Sequence, residues 1–186
     1  MIGQFDNYEI SPIHSGDAWK LCDFMVANQN RFQRYFPKTL EQNITPTLSQ
    51  LFVEKKAKQF NNKEEFLFTL KQTETRALAG IIYIKELDWT KPQGEFAYCI
   101  GYPFEGQGLA TKAVKALTNY AFSELGLEAL QIIVFKDNIG SVKVAENNNF
   151  KWVKTLKNEY TPSGENPLDM ELYELSNSSY KVLKTL

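Results

Sequence analysis

The stretch EGQGLATKA, Glu105 to Ala113, carries the strongest chemical signal in the sequence. It lies where a β-branched and aromatic segment ending near Tyr102 gives way to a helical pattern opening at Ala110. Gly106 and Gly108 have no Cβ, so the chain can turn tightly there and bring consecutive amides against a ligand. The helix that follows adds unpaired N–H donors and partial positive charge at its N-terminus. A phosphate group suits such a turn, and a plain glycine turn is the other reading of the same residues. Two common phosphate loops do not fit. A Walker loop needs Gly-Lys followed by Ser or Thr, whereas Thr111 precedes Lys112 with no such glycine before it. A dinucleotide fingerprint needs a third glycine where Thr111 stands. Lys112 and Lys115 occupy the first two turns of the helix, where their charge opposes the helix dipole. A bound anion would relieve them; two solvated lysines are the alternative.

Other chemistry is excluded by counting. The single histidine, His14, removes His-rich metal sites and imidazole-dependent nucleophile devices; any metal site would have to be mainly carboxylate, and no metal is assigned. His14 stands beside Ser15, Gly16 and Asp17, turn residues that suit a cap or a surface position. The two cysteines, Cys22 and Cys99, are too few for a disulfide framework and fit a reducing, cytoplasmic setting. With 21 Lys plus Arg against 22 Asp plus Glu, the formal charge of -1 gives no field to attract a nucleic acid. The first ten residues lack a basic region followed by an apolar one, and no apolar run is long enough to span a membrane. One further cluster, RFQRYFP, supplies Arg31, Phe32, Arg34, Tyr35 and Phe36. Its aromatics can wall a pocket and its arginines can hold an acidic or carboxylate group; they serve equally well as core and rim.

The elements that must position these residues follow from periodicity. With 43% hydrophobic residues and no linker or repeat in its 186 residues, the chain reads as layers around a core. A strand is expected over Tyr8 to Ile13, then a helix from Asp17 to Asn28 with Trp19, Leu21, Cys22, Met25 and Val26 on its apolar face. A second helix opens after Thr45 with Pro46 in its first turn and ends near Phe60. The period then changes, and Phe66 to Leu70, Ala79 to Ile84 and Glu95 to Tyr102 read as an antiparallel meander. A long helix from Ala110 stops at Gly126 and presents Ala110, Ala113, Val114, Leu117 and Ala121 on one face. A strand over Leu130 to Phe135, a short helix over Ile139 to Asn148, and strands over Phe150 to Tyr160 and Leu168 to Leu175 complete the order. The fold class is α/β, or α+β with a mixed sheet, and the residues after Ser176 form a loose tail.

Read together, these residues resemble the GNAT superfamily of acyl-CoA N-acyltransferases, from about Tyr8 to Leu175, in its ribosomal-protein N-terminal acetyltransferase (RimJ/RimL-like) branch. The family turn, Gln or Arg, two residues, Gly, one residue, Gly or Ala, is matched by Glu105, Gly106, Gln107, Gly108, Leu109 and Ala110, followed by Thr111. Glu105 departs from the pattern and brings a negative charge toward the place of a pyrophosphate. A second stretch, Asn138, Ser141, Val144, Glu146 and Phe150, resembles the branch's downstream motif, with Asn149 replacing a glycine that ends the helix. EFAYCIGY, Glu95 to Tyr102, is similar to the strand that precedes the turn.

The resemblance implies a mostly antiparallel sheet of about seven strands, splayed between the fourth and fifth, with helices on both faces. Residues 1–176 would form a single domain and 177–186 a tail. Acetyl-CoA, as co-substrate, would lie in the splay. Backbone groups around Ile100 and Tyr102 would hold the pantetheine arm, and the amides of Gly106, Gln107, Gly108, Leu109, Ala110 and Thr111 the pyrophosphate. Asn138 and Ser141 would stand beside them, with Ser141 supplying a proton or a hydrogen bond to the departing sulfur. Cys99, in the same strand, suits a small buried residue better than a nucleophile, so transfer would be direct. An attacking amine must be neutral, as about a tenth of an α-amino group is at pH 7, against less than about one in a thousand lysines. Glu95 is the candidate base, acting directly or through water; a solvent-facing strand residue is its other reading. Arg31, Phe32, Tyr35 and Phe36 would meet the acceptor, which the sequence leaves open between a protein N-terminus and a small-molecule amine. The chain would act as a monomer or homodimer, and a non-catalytic acyl-CoA sensor with the same fold is the competing function.

Overall fold

The computed structural model describes residues 1–184. Along the chain run β1 (Gly3–Phe5), β2 (Tyr8–Pro12), α1 (Ala18–Ala27), α2 (Gln29–Phe32), α3 (Pro37–Glu41), α4 (Pro46–Asn61), β3 (Phe66–Gln72), β4 (Leu78–Asp88) and β5 (Gln93–Ile100). They are followed by α5 (Leu109–Ser123), β6 (Ala129–Val134), α6 (Ile139–Asn147), β7 (Lys151–Tyr160), β8 (Leu168–Ser176) and α7 (Asn177–Lys184). The strands form one sheet in the order β1-β2-β3-β4-β5-β6-β8-β7. β1 with β2, β2 with β3, β6 with β8 and β7 with β8 are antiparallel. β5 and β6 run parallel and pair from Gln93–Ala129 to Phe96–Ile132, although β5 is 8 residues long and β6 is 6. This mixed, mostly antiparallel α/β sheet is the expected class, with β1 added to the seven strands legible in the sequence.

Two compact units divide the described chain: Met1–Tyr83 with Tyr98–Leu109, and Ile84–Ala97 with the chain from Ala110 onward. β4 and β5 each contribute to both, which is why no linker composition marks the division. In the first unit, β3 is buried on both faces along almost its whole length, Thr69 and Lys71 included. Phe60 at the end of α4 packs edge-on against Phe66 and Phe68, with ring centroids 4.9 and 5.4 Å away. α4 begins as its sequence requires: Thr45 Oγ1 accepts the Leu48 N–H at 3.3 Å and Pro46 occupies the first turn. In the second unit, Ala113, Val114, Leu117, Ala121 and Phe122 form the buried face of α5, and Phe96 meets Phe150 edge-on at 6.3 Å.

Several local expectations change. The buried face of α1 is Ala18, Leu21, Cys22, Phe24 and Met25, while Trp19 and Val26 face solvent. The helix begins only after a tight turn at Ser15–Asp17, and this fixes its rotation. RFQRYFP is divided by its own proline into α2, a turn, and α3 starting at Pro37. β5 ends at Ile100 rather than Tyr102, because Tyr102–Phe104 forms a 3₁₀ turn in which Pro103 has no N–H for a ladder. The segment expected as a loose tail is helical through Lys184, and its Tyr180 ring lies 5.3 Å from that of Phe122; residues 185–186 lie outside the described chain.

Asp17 does not cap α1 with its side chain. Its carboxylate accepts the His14 N–H at 3.1 Å and pairs with Lys71 Nζ on β3 at 2.5 Å, with side-chain exposures of 2% and 1%. A charge removed from water this completely is tolerated because its partner is equally buried and the carboxylate takes a second donor. Replacing Asp17 with Ala leaves a buried ammonium alone, and unfolding in urea is expected to show a loss of about 3–5 kcal/mol. The double substitution Asp17→Leu with Lys71→Met is expected to lose much less.

Candidate functional site

The first unit carries the turn. At the end of β5 the Gly101 N–H donates to Ala79 O at 2.9 Å, and alternation along an antiparallel ladder turns the N–H and C=O of Ile100 away from β4. The chain then makes the Tyr102–Phe104 turn and passes Glu105, and Gly106 and Gly108 both adopt a φ of +70°. Nothing lies within 4 Å of where a Cβ would stand at either glycine, so the requirement for glycine is conformational rather than spatial. α5 starts immediately at Leu109, which is buried and anchors the helix end while the turn before it stays exposed. The Gln107 side chain folds back on the protein: Tyr8 Oη donates to its Oε1 at 3.3 Å and its Nε2 donates to Pro103 O at 3.3 Å. At Gly106 and Gly108 the exposed chain is backbone alone, with the Glu105 and Gln107 side chains exposed beside it.

The approach to the turn is fastened by two residues of the first helices. Asn28 is buried, donates from Nδ2 to Phe24 O at 2.8 Å and accepts the Tyr102 N–H at Oδ1, 2.9 Å away. Arg31 donates from Nη1 to Asn28 Oδ1 at 3.2 Å and to Ile100 O at 3.3 Å, and its Nη2 forms an ion pair with Glu105. Its guanidinium lies 5.6 Å from the Phe32 ring centroid and 5.9 Å from that of Tyr102. The expected acceptor group is thereby divided. Arg31 turns to Glu105, Phe32 is buried between Phe24 and Phe36, and Tyr35 and Phe36 stay half-buried. Asn28 was missed in the sequence because a polar residue at a helix end carries no sign of the distant amide it will bind.

The second unit holds the other candidates. Glu95 is half-buried on β5, opposite Gln131, and its Oε1 receives Lys85 Nζ at 2.8 Å. Asn138 caps α6 as expected, its Oδ1 accepting the Ser141 N–H at 3.2 Å, and Ser141 sits half-buried in the first turn of that helix. Asn149 adopts a φ of +63°, the left-handed conformation expected of the residue that replaces a glycine there. Asn148, which the sequence did not single out, is buried and donates from Nδ2 to Val144 O at 2.8 Å and to Thr111 O at 3.2 Å. It ties the end of α6 to the first turn of α5. Lys85 likewise escaped notice, since only strand pairing brings it to Glu95.

Cys99 is buried, and burial pushes its thiol well above the ordinary thiol range. It is a packing residue, not a nucleophile.

A strand, a glycine turn with two left-handed residues and a helix N-terminus, followed by a capped short helix, form a recognisable series. Residues 8–151 match the family described as acetyltransferase (GNAT) domain. The chain belongs to the GNAT acetyltransferases. A stretch of 87 residues is 30% identical to the spermidine N(1)-acetyltransferase of Escherichia coli (strain K12), a match that spans about half of that enzyme, 47% of each chain. Among solved structures, this GNAT chain is similar to the ribosomal-protein-S5-alanine acetyltransferase from Vibrio fischeri, with a TM-score of 0.89 at 18% identity over 96% of this chain and 97% of that one. It is also similar to the spermidine N-acetyltransferase from Vibrio cholerae in complex with CoA and spermine, with a TM-score of 0.77 at 19% identity over 94% and 98%. At these identities the two structures establish the fold.

Cys22 and Cys99 are both free and buried in this GNAT chain. Titration with a chromogenic disulfide reagent is expected to modify neither in native buffer and both after denaturation; rapid native modification of Cys99 would remove the packing assignment.

Proposed function

We propose that the protein transfers the acetyl group of acetyl-CoA directly to a primary amine. The observation that carries this reading is the turn: Gly106 and Gly108, both at φ +70°, deliver the chain into the N-terminus of α5 within a GNAT sequence. The residues present fit the co-substrate, because the turn is exposed, the Gln107 side chain is held by Tyr8, the Glu105 charge is paired with Arg31, and the amides of a glycine turn and of a helix's first turn offer donors to a diphosphate. Acetyl-CoA brings an activated thioester; the chain supplies everything else. Amides from Gly106 to Thr111 hold the diphosphate. Of the groups expected to hold the pantetheine arm, Ile100 O and the Tyr102 N–H already serve Arg31 and Asn28, so the Ile100 N–H carries that role. Glu95, held by Lys85, takes the proton of the attacking amine directly or through a water, and Ser141 donates to the sulfur that leaves.

The family match runs through both compact units, which supports residues 1–176 acting as one catalytic domain. Two acceptor classes are favoured by the relatives' named substrates: a protein α-amine and a polyamine. An α-amine asks less of Glu95, because more of it is already neutral at pH 7. Free buried cysteines are consistent with work in a reducing, cytoplasmic setting. The negative charge that Glu105 brings toward the place of a pyrophosphate is met by Arg31.

Calorimetric titration with acetyl-CoA, CoA and ATP, followed by thiol release with an amine panel, tests the reading. Acetyl-CoA and CoA are expected to compete with each other and not with ATP, and a Ser- or Ala-initiated peptide or spermidine to release free CoA. Binding without turnover on any amine would turn the reading toward a sensor, and absence of binding would overturn it.

Two substitutions test the parts. Gly108→Val is expected to weaken acetyl-CoA binding at least tenfold, since a β-branched residue at this φ costs roughly 1–2 kcal/mol and changes the path of the amides. Circular dichroism would show the variant folded. Glu95→Gln is expected to lower kcat on the order of a hundredfold and flatten its pH dependence while acetyl-CoA still binds; an unaltered pH–rate profile would remove Glu95 as the base.

A further inference from the structure

We propose that Arg31 is a positioning residue for the diphosphate turn, supplying in space the countercharge that Glu105 makes necessary, and is not a reader of the acceptor. The inference rests on the acetyl-CoA reading above. Glu105 is the residue immediately before the first left-handed glycine, and its side chain is 47% exposed. A carboxylate at the mouth of an anion-binding turn repels the anion the turn is built to hold. Arg31 answers this from α2. Its guanidinium, charged at every working pH, pairs with Glu105 and at the same time donates to Ile100 O and Asn28 Oδ1. The Phe32 and Tyr102 rings flank it at 5.6 and 5.9 Å, so the fork is held by more than one contact. With Asn28 bound to the Tyr102 N–H, the segment entering the turn is fastened at Ile100, Tyr102 and Glu105.

An exposed ion pair of this kind adds little to folding stability, and the proposal does not ask it to. Its effect belongs to the ligand. Without Arg31, Glu105 faces the diphosphate uncompensated; without both charges, the repulsion is gone. A merely structural arginine would show no such rescue.

The test compares wild type with Arg31→Gln, Arg31→Gln/Glu105→Gln and Arg31→Lys by acetyl-CoA calorimetry and steady-state kinetics, with each fold checked by circular dichroism. Arg31→Gln is expected to raise the Kd and KM for acetyl-CoA on the order of tenfold, with kcat and the KM for the amine changed far less. The double variant is expected to recover most of that loss. Arg31→Lys keeps the charge and is expected to fall between wild type and Arg31→Gln; it carries the test if Arg31→Gln does not fold. Equal weakening in the single and double variants, an effect confined to the amine KM, or unchanged acetyl-CoA affinity in Arg31→Gln would each overturn the proposal. Failure of the wild type itself to bind acetyl-CoA would remove the reading of the turn and this inference with it, and is visible before any variant is made.

Discussion

The structure around the candidate site depends on one backbone constraint: the chain must leave a sheet strand at Gly101 and enter a helix at Leu109 within a few residues, passing through φ +70° twice. Only glycine takes that conformation without steric cost, and open space around both positions shows that conformation alone is the reason. The consequence is a helix N-terminus, where first-turn amides lack intrahelical partners, that follows directly on an exposed turn. Everything else at the turn serves to keep it there. Leu109 buries the first residue of α5, Pro103 prevents β5 from continuing, and Tyr8 draws the Gln107 side chain back onto the protein.

Charges in this protein are placed in pairs, and burial decides what each pair does. Asp17 and Lys71 are almost wholly withdrawn from water, so either one alone would be intolerable and the pair locks the start of α1 to β3. Arg31 and Glu105 remain partly exposed, where an ion pair contributes little to folding. Lys85 and Glu95 lie between these extremes, with side-chain exposures of 31% and 15%. That leaves the carboxylate oriented by a partner yet partly open to solvent.

The two asparagines that close the local networks do so by the same device. Asn28 and Asn148 each accept burial at a helix end because the side-chain amide binds a carbonyl one turn back: Phe24 O for Asn28 and Val144 O for Asn148. Asn28 then uses its Oδ1 to accept the Tyr102 N–H, and Asn148 uses its Nδ2 a second time to donate to Thr111 O. An aliphatic residue at these positions would satisfy neither contact and leave buried backbone groups without partners.

Local chemistry made much of this legible in the sequence. Glycine at 106 and 108, the Asn138 cap, the left-handed Asn149, Pro46 in a first turn and the apolar face of α5 each follow from what one residue type can do with its own backbone. So did the order of strands and helices, because period 2 and period 3.6 are written into neighbouring residues. Contacts between residues far apart in the chain were decided by tertiary structure. Trp19 and Val26 sit on the exposed side of a helix whose rotation is fixed by the turn before it, and α7 holds where a loose end was expected because Tyr180 finds Phe122. Arg31 stands in a cluster that suits an acceptor pocket, yet its partners are Glu105 and Ile100, some seventy residues away. The sequence by itself determined the left-handed turn at Gly106 and Gly108 and the starts of α4 and α6; only the tertiary structure decided which charge answers which, because a side chain's partner is set by the packing of elements and not by its neighbours in the chain.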